Sequence, residues 1–492
     1  MAVRISLRWA WLIPVILGAG LFLTSRYPDA AHRKAQVLIL STPLDDGRTD
    51  VGPGLGTLLG DHLEVLAGAA VLHASTLPEG EALRRLPPNL HILRFHARRE
   101  GDFLALAPAW TTPARLLAGA PWATAEFPPL EPWEALEAWV RGWPLAGANR
   151  VPPGRLVPQS PLSFWSLVEA MSIRSDHEAA AHLEASQRLA EQEPGCATAW
   201  ATLGDHLYRS LWVNPDQAGI GLSSKTHRAF QKAVGLVPGH PRATFLWSLM
   251  LTDTGNQGLA LKALQEAARL RPHVPDLYQG FAYAGRTAGL LEGAQAALAR
   301  RKALLPSPAP PSAWTTETTS LYLGDWAAFD QELKELRAHR LDPGVLFYLG
   351  YSALLKGRRE EALAHMKAGD ESRTAGPFQE LCRVYRALLE GRKADGLAEL
   401  RRIDAVRGKL RIPDGELTFK QAEAYALLGD ADHAMDCATR AFVQGFSCSR
   451  WYEASPFLER MRTHPRWPML RRNIRERQAV LEGSFPPSSF GP

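Results

Sequence analysis

Three prolines at a constant interval are the sequence feature that most constrains how this chain can fold. Pro238, Pro272 and Pro306 lie 34 residues apart. Each stretch between them opens with polar or aromatic residues, carries a glycine near its middle, and closes on alanines and large apolar residues. A fixed period of this size is typical of stacked helix pairs, because each pair buries its apolar face only against its neighbours. We therefore expect a mainly α protein whose larger part is an α-solenoid.

The repeated stretches resemble the tetratricopeptide (TPR) repeat, whose pattern is W-x2-L-G-x2-Y, a central G, and then A-x3-F-x2-A-x4-P. The matching residues are Trp200, Leu203, Gly204, Phe230, Ala233, Pro238, Ala260, Leu264, Ala267, Pro272, Ala294, Leu298 and Pro306. Less regular units continue to Ala441. The resemblance implies TPR-like repeats over residues 163–445, followed by a capping segment and tail over residues 446–492.

An uncharged run near the amino terminus indicates a membrane anchor. Arg4 and Arg8 precede the run, which covers residues 9–25. Its length of about 17 residues is at the short end of what a bilayer requires. The leading arginines favour a cytoplasmic tail over residues 1–8. We expect a single-pass protein of the bacterial cytoplasmic membrane, with this signal anchor uncleaved and most of the chain extracytoplasmic, in the periplasm. A cleaved signal peptide is the alternative.

A small α/β domain is expected over residues 36–112. The runs "AQVLILSTPL", "AAVLHAS", "NLHILRFHARRE" and "GDFLALAPAW" are typical of strands, and "LGTLLGDHLEVLAG" and "EGEALRRL" of helices. The segment "DDGRTDVGPGLG" between the first strand and the first helix is interpreted as a loop. Its glycines lack the lysine and the spacing of a phosphate-binding motif. Residues 113–162, rich in proline and tryptophan, are interpreted as a connector containing one helix, "EPWEALEAWVRGW".

The whole plan of anchor, small α/β unit and repeats is similar to the extracytoplasmic part of bacterial CadC-like regulators, in which a TolB-like fold often precedes TPR units. Only eight residues precede the anchor, so the sequence offers no winged-helix, kinase or cyclase domain there. We therefore do not expect direct transcription control or phosphorylation to carry over from the resemblance.

The sequence offers little that points to catalysis or to a cofactor. The stretch "HEAAAHLE" at residues 177–184 places His177 and His182 five apart, which separates them by about 140° around a helix and disfavours a shared metal ion. The four cysteines form no C-x-x-C pair, although Cys437 and Cys448 lie close enough in sequence to leave a disulfide open. The net charge of +5 is too mild to indicate nucleic acid. We expect no enzyme, cofactor or metal site.

Protein binding is the function that the resemblance implies. In TPR arrays that bind ligands, the first helix of each unit lines a concave groove. The corresponding residues here are Asp205, Tyr208, Phe245, Asp253, Gln279, Tyr283 and Arg286. We expect a membrane-anchored scaffold that holds a protein partner in this groove. The alternative is a sensory or regulatory subunit that acts with a separate effector.

A basic stretch near the carboxyl terminus admits two interpretations. Its members are Arg460, Arg462, Arg466, Arg471, Arg472, Arg475 and Arg477. They are typical of the solvated capping helix that the end of a solenoid needs. The alternative is contact with anionic lipid or an acidic partner.

Overall fold

A computed structural model describes residues 36–40, 52–74, 77–88, 90–101, 103–124, 131, 133–134, 136, 151, 154–173, 175–213, 220–305, 317–374, 376–407 and 414–491. The fold is mainly α, with one small mixed sheet near the amino terminus. The predicted anchor over residues 9–25 lies outside the described residues, as does most of the predicted helix in the connector. Among the helices that are described, none combines the length and the apolar character that crossing a bilayer requires.

The sheet has five strands in the order β2-β1-β3-β4-β5. Their bounds are β1 Gln36–Leu40, β2 Ala70–Ala74, β3 His91–Glu100, β4 Phe103–Thr111 and β5 Ala123–Thr124. Strand β1 is parallel to β2 and β3, and the remaining pairs are antiparallel. The predicted order of strands and helices is confirmed, and the short edge strand β5 is an addition that the sequence pattern did not indicate.

The first helix begins earlier than the sequence predicted. Helix α1 spans Gly52–His62 and continues as a π-helical turn over Leu63–Ala67, while α2 spans Gly80–Arg85 and α3 spans Pro113–Leu117. The glycine-rich part of the predicted loop is thus helical, and the interpretation as a loop was wrong there. A Cβ on Gly54 would lie 2.0 Å from the carbonyl oxygen of Val168. The glycine is therefore needed for close contact between helices, and that need outweighs its low helix propensity.

Consecutive helices then pack on one another along the rest of the chain, an arrangement compatible with a helical-repeat solenoid. We call α4–α20 the helical stack. Its helices and those after it are α4 Pro161–Ser172, α5 Asp176–Ala181, α6 Leu183–Gln192, α7 Ala197–Val213, α8 Ile220–Leu236, α9 Pro241–Asp253, α10 Gln257–Leu270, α11 Pro275–Ala288, α12 Leu291–Leu304, α13 Thr319–Leu323, α14 Trp326–His339, α15 Pro343–Leu355, α16 Arg359–Asp370, α17 Pro377–Leu389, α18 Lys393–Arg407, α19 Gly415–Leu428, α20 Ala431–Val443, α21 Ser449–Ala454 and α22 Trp467–Ser484.

Local sequence signals set many of these boundaries. Proline occupies the start of α9, α11, α15 and α17, where its missing N–H has no intrahelical partner to lose. Glycines with positive φ follow α9, α11, α13, α15, α17 and α19, and they allow the left-handed turn that ends a helix. The period seen in the sequence is thus a period of helix starts and stops.

The opening stretch "HEAAAHLE" is helical with a break at His182, between α5 and α6. The side chains of His177 and His182 are exposed, so both lie on solvated faces. Ser175 caps α5 together with Glu178, each side chain bonding the other's backbone N–H. Glu178 of this stretch therefore has a structural role.

The carboxyl-terminal residues return to the middle of the stack. Gln257 donates from Nε2 to the carbonyl of Gly445 at 2.9 Å, and the N–H of Ser447 donates to the carbonyl of Thr287 at 2.8 Å. We call this contact between residues 255–289 and residues 442–490 the seam. Because of it, units that are far apart in sequence lie side by side.

Candidate functional site

Helix α19 of the helical stack is buried on nearly all sides. It nevertheless carries three ionisable side chains, those of Glu416, Lys420 and Glu423. All three are at most 5% exposed. Their spacing of four and then three residues places them on one face of the helix. Ionisable groups in such a position must be paired, since burial of an isolated charge is very costly.

Glu416 is held by residues from two other helices. It accepts hydrogen bonds from Thr318 Oγ1 at 2.9 Å and from the hydroxyl of Tyr322, and it forms an ion pair with Arg286 of α11 at 3.3 Å. Arg286 also pairs with Glu317 at 3.4 Å. Although burial by itself raises the pKa of Glu416, the Arg286 cation, the hydrogen bonds from Tyr322 and Thr318 and the Lys420 cation together outweigh it, so the pKa lies below its ordinary value.

Lys420 and Glu423 form a second buried pair on the same face. Lys420 Nζ lies 3.1 Å from Glu423 and 2.9 Å from the hydroxyl of Tyr351, and it stands 4.1 Å from the centre of that ring. Glu423 accepts further hydrogen bonds from Tyr351 at 2.9 Å and from Ser455 Oγ at 2.6 Å. Desolvation lowers the pKa of Lys420. An ion pair can be buried when additional hydrogen bonds satisfy its charged groups, as they do here.

A carboxyl group between α7, α9 and α11 completes this interior network. Asp253 accepts a hydrogen bond from Tyr208 at 2.6 Å and another from the hydroxyl of Tyr283. Burial, reinforced by the charge of Asp414, raises the pKa of Asp253 to about 8. Burial likewise raises the pKa of Asp414, to about 6. Asp414 caps α19 and is the non-glycine residue with positive φ among those described.

The residues predicted to line an open groove are all buried. Their exposed fractions lie between 2% and 7%, for Asp205, Tyr208, Phe245, Asp253, Gln279, Tyr283 and Arg286. The expectation that these side chains face an open concave surface was therefore wrong. The structure brings Tyr208, Asp253 and Tyr283 together, and it places Arg286 against Glu416. Asp205 instead pairs with Arg209 and Arg242, at 3.0 and 2.8 Å.

At Arg286 the physical reason is the approach of α19, whose Glu416 pairs with it at 3.3 Å. At other positions the side chains of neighbouring helices cover one another, as Tyr208 and Tyr283 do around Asp253. Partner binding by these seven residues remains a prediction. Sequence reasoning missed Glu416, Lys420 and Glu423, although their shared helical face was a signal that was available.

The seam contains a cleft that is open to solvent, with a volume of about 530 Å³. It is lined by Gly255, Gln257, Gly258, Phe442, Asn473, Glu476, Arg477, Val480 and Leu481. The guanidinium carbon of Arg477 lies 3.9 Å from the centre of the Phe442 ring. Val480 in the lining is 69% exposed, and Val443, which follows Phe442, is 67% exposed. Aromatic, cationic and apolar surface is thus presented together.

The basic carboxyl-terminal stretch is extensively paired. Arg471 and Arg475 both contact Glu453, Arg466 contacts Asp436 at 2.7 Å, and Arg477 donates to the carbonyl of Phe442. This arrangement agrees with a capping helix whose charges are solvated and locally balanced. Contact of this stretch with anionic lipid remains a prediction.

The four cysteines are free thiols, and each is buried. Burial raises the pKa of Cys437 to about 12 and that of Cys448 to about 12. The disulfide that the sequence left open is not formed in the structure. Thiols of this kind are poor nucleophiles, because the reactive thiolate is scarce.

The described residues contain no cluster of histidine, cysteine, aspartate or glutamate side chains that is arranged to hold a metal ion. Comparison with models of known protein families gives no match, and comparison with curated proteins gives none either.

Proposed function

We propose that this protein is a protein-interaction scaffold built from TPR-like repeats, and that its partner docks in the cleft at the seam. The observation that carries the proposal is the combination found there. Arg477 stacks on Phe442, next to the exposed Val480 and close to the exposed Val443. Arginine, aromatic and apolar side chains in a concave place are the mix from which binding hot spots are made.

Two further observations support a TPR-like scaffold. Helix starts at Pro241 and Pro275 are 34 residues apart, as are those at Pro343 and Pro377. Small residues also lie between paired helices, as at Gly204, where a Cβ would stand 2.6 Å from the ring of Phe230. A chain assembled from such units offers a large surface, which suits binding.

The location is proposed from the sequence alone. In this proposal the run over residues 9–25 anchors the protein in the membrane, and the remaining chain lies on the extracytoplasmic side. The small sheet belongs to a TolB-like unit. Alkaline phosphatase fused after residue 160 is expected to be active. An inactive fusion, together with an active cytoplasmic reporter at the same position, would invert this topology.

Site-specific crosslinking tests the docking surface. A photo-reactive amino acid placed at Val480 is expected to capture a partner in intact membranes, and mass spectrometry then identifies it. The matched control is the same amino acid at Leu341, which is also apolar and 58% exposed but lies before α15, outside the cleft. Capture of the same protein in equal yield from both positions would refute docking in the cleft.

A sensory or regulatory subunit is the second candidate, and one observation favours it. The buried carboxyls Asp253 and Asp414 have pKa values raised to about 8 and about 6, so they titrate in the physiological range. A protein that reports pH to a separate effector needs such groups. If the crosslinked partner is a signalling or transcriptional protein, this second function is supported; an envelope-assembly protein supports the scaffold.

A further inference from the structure

The last described residues of the chain fold back onto helices α11 and α12. After α22 ends at Ser484, a short 3-10 turn over Pro487–Phe490 brings the ring of Phe490 into the core, where it is 1% exposed. Its centre lies 5.6 Å from that of Phe281. Pro486 and Ser488, by contrast, are exposed. Phe490 thus anchors the turn, and Phe485 before it packs partly buried against the same core.

Two glycines make room for that ring. A Cβ on Gly285 of α11 would lie 2.6 Å from Phe490, and so would a Cβ on Gly293 of α12. Contacts this short do not occur in real structures, so any larger residue at either position would have to displace the ring. We call the space between these glycines the aromatic pocket.

Comparison with the other helix pairs shows that this space is particular to α11 and α12. In six pairs the first helix ends in the same turn, which contains a glycine with positive φ. The backbone N–H of the residue after this glycine donates to the carbonyl of the residue four positions before it. The residues supplying that carbonyl are Leu251, Gly285, Ser320, Ala353, Ala387 and Tyr425. The residues four after the glycine are Leu259, Gly293, Ala328, Glu361, Asp395 and His433. Of the six pairs, that of α11 and α12 has glycine at both positions.

The pair formed by α19 and α20 shows what such a space accommodates. There the two equivalent positions hold Tyr425 and His433, whose rings stack with centres 5.3 Å apart. An aromatic contact between paired helices is therefore part of how this chain packs. In the pair α11 and α12, the ring is supplied by a residue about 200 positions away in the sequence, namely Phe490.

We propose that the aromatic pocket on α11 and α12 is a recognition site for a phenylalanine carried on a short turn, and that the carboxyl-terminal segment of the same chain is its resident, displaceable ligand. The segment is held mainly by shape and apolar contact. Hydrogen bonds of Ser489, from its N–H and its hydroxyl, run to Pro486 within the segment itself. This inference concerns a site apart from the cleft and does not depend on the proposed partner.

The first test vacates the pocket in the full-length chain. A Phe490→Ala variant is mixed with a fluorescent peptide of residues 484–492, and binding is followed by anisotropy. Binding is expected to the variant, and to be at least about tenfold weaker when the peptide itself carries Phe490→Ala, since removal of a buried phenylalanine is costly. Adding Gly293→Val to the variant is expected to abolish binding. Equal binding of both peptides, or no binding by the folded variant, would overturn the proposal.

A second measurement uses the chain with its own tail in place, so it does not depend on how the variant folds. Phe490 is replaced by 4-fluorophenylalanine, and its 19F resonance is recorded while the unlabelled peptide is added. The resonance is expected to move from a buried to a free position, and to stay unchanged with the Phe490→Ala peptide. A resonance at the free position from the outset, or one that no excess of peptide moves, would refute a resident and displaceable ligand.

Light scattering tests whether the contact lies within one chain. A dimer that forms without added peptide and is lost in the Phe490→Ala variant would show that tails are exchanged between copies, and would refute the contact within one chain.

Discussion

The interior network around α19 and the cleft at the seam are built from the same residue types, and they differ in what surrounds them. Arg286 in the interior is 3% exposed and pairs with Glu416, whereas Arg477 in the cleft rests on Phe442 beside an exposed valine. In the interior, Arg286, Glu416, Lys420 and Glu423 are all paired within the chain. In the cleft, apolar and aromatic surface still faces solvent. The difference shows that residue type alone does not distinguish a binding surface from a satisfied core.

The largest expected change in stability comes from replacing a glutamate of the interior, compared with replacing one of the cleft. Glu416→Ala leaves Arg286 buried with only the partly exposed Glu317, so the free energy of unfolding should fall by about 3 kcal/mol. The matched change Glu476→Ala in the cleft should barely alter it, because the carboxylate of Glu476 is 68% exposed. Urea unfolding followed by circular dichroism measures both. Similar losses for the two variants would contradict the distinction between interior and cleft.

Packing between helices gives the next effect. Ala267 of α10 is 1% exposed, so Ala267→Trp should lower the free energy of unfolding by roughly 1 to 3 kcal/mol through overpacking. Leu259→Trp on the same helix is the control, since Leu259 is 45% exposed. Thermal melts compare the two. Equal melting temperatures would show that α10 is not closely packed at Ala267.

The pH dependence of stability should reveal the interior carboxyl. The pKa of Asp253 is raised from 3.8 to about 8 by burial and then by Asp414. Between these values the folded chain keeps a proton that the unfolded chain releases, so this group's stabilisation is complete below about pH 4 and is lost as pH rises through about 8. Stability should therefore fall from pH 5 to pH 8.

Asp253→Asn carries no titrating proton and should flatten that fall, as judged by urea midpoints at several pH values. Asp414, whose pKa is raised in the same direction, should leave a smaller residual slope. An unchanged slope in the Asp253→Asn variant would show that the carboxyl is already ionised in the folded chain.

The smallest expected change in stability belongs to the cleft. Val480→Asp should alter the free energy of unfolding by no more than about 0.5 kcal/mol, because the side chain is 69% exposed. The same substitution should strongly reduce capture of a partner by a crosslinker at Val443. Undiminished capture by a stably folded variant would remove Val480 from the docking surface.

Much of the fold could be predicted because it depends on local signals. Helix starts at proline, stops at glycine and apolar periodicity are visible in the sequence, and so are the apolar runs that form β1 and β2. The early start of α1 was missed for a non-local reason. The glycines of that segment indicate a loop by propensity, and only the approach of α4 at Gly54 explains why they are helical.

The site was harder to predict, because accessibility depends on how the units close on one another. The period shows which face of α11 points inward, and it placed Tyr283 and Arg286 there. It does not show that Glu416, 130 residues later, meets that face. Curvature accumulates from small angles between neighbouring helices, and the returning carboxyl-terminal segment adds a contact that no local pattern encodes.

The contacts of Gln257 with Gly445 and of Ser447 with Thr287 also bear on how this molecule comes apart. An open array of repeats has two free ends and frays from either one, since each unit depends only on its neighbours. Joining late units to early ones removes the free carboxyl end. Residues 255–447 then form a closed arrangement of helices. Unfolding one helix pair should therefore destabilise the others. We expect this portion to exchange its backbone hydrogens as one cooperative body, whereas α5 and α6, which precede this arrangement, should open independently.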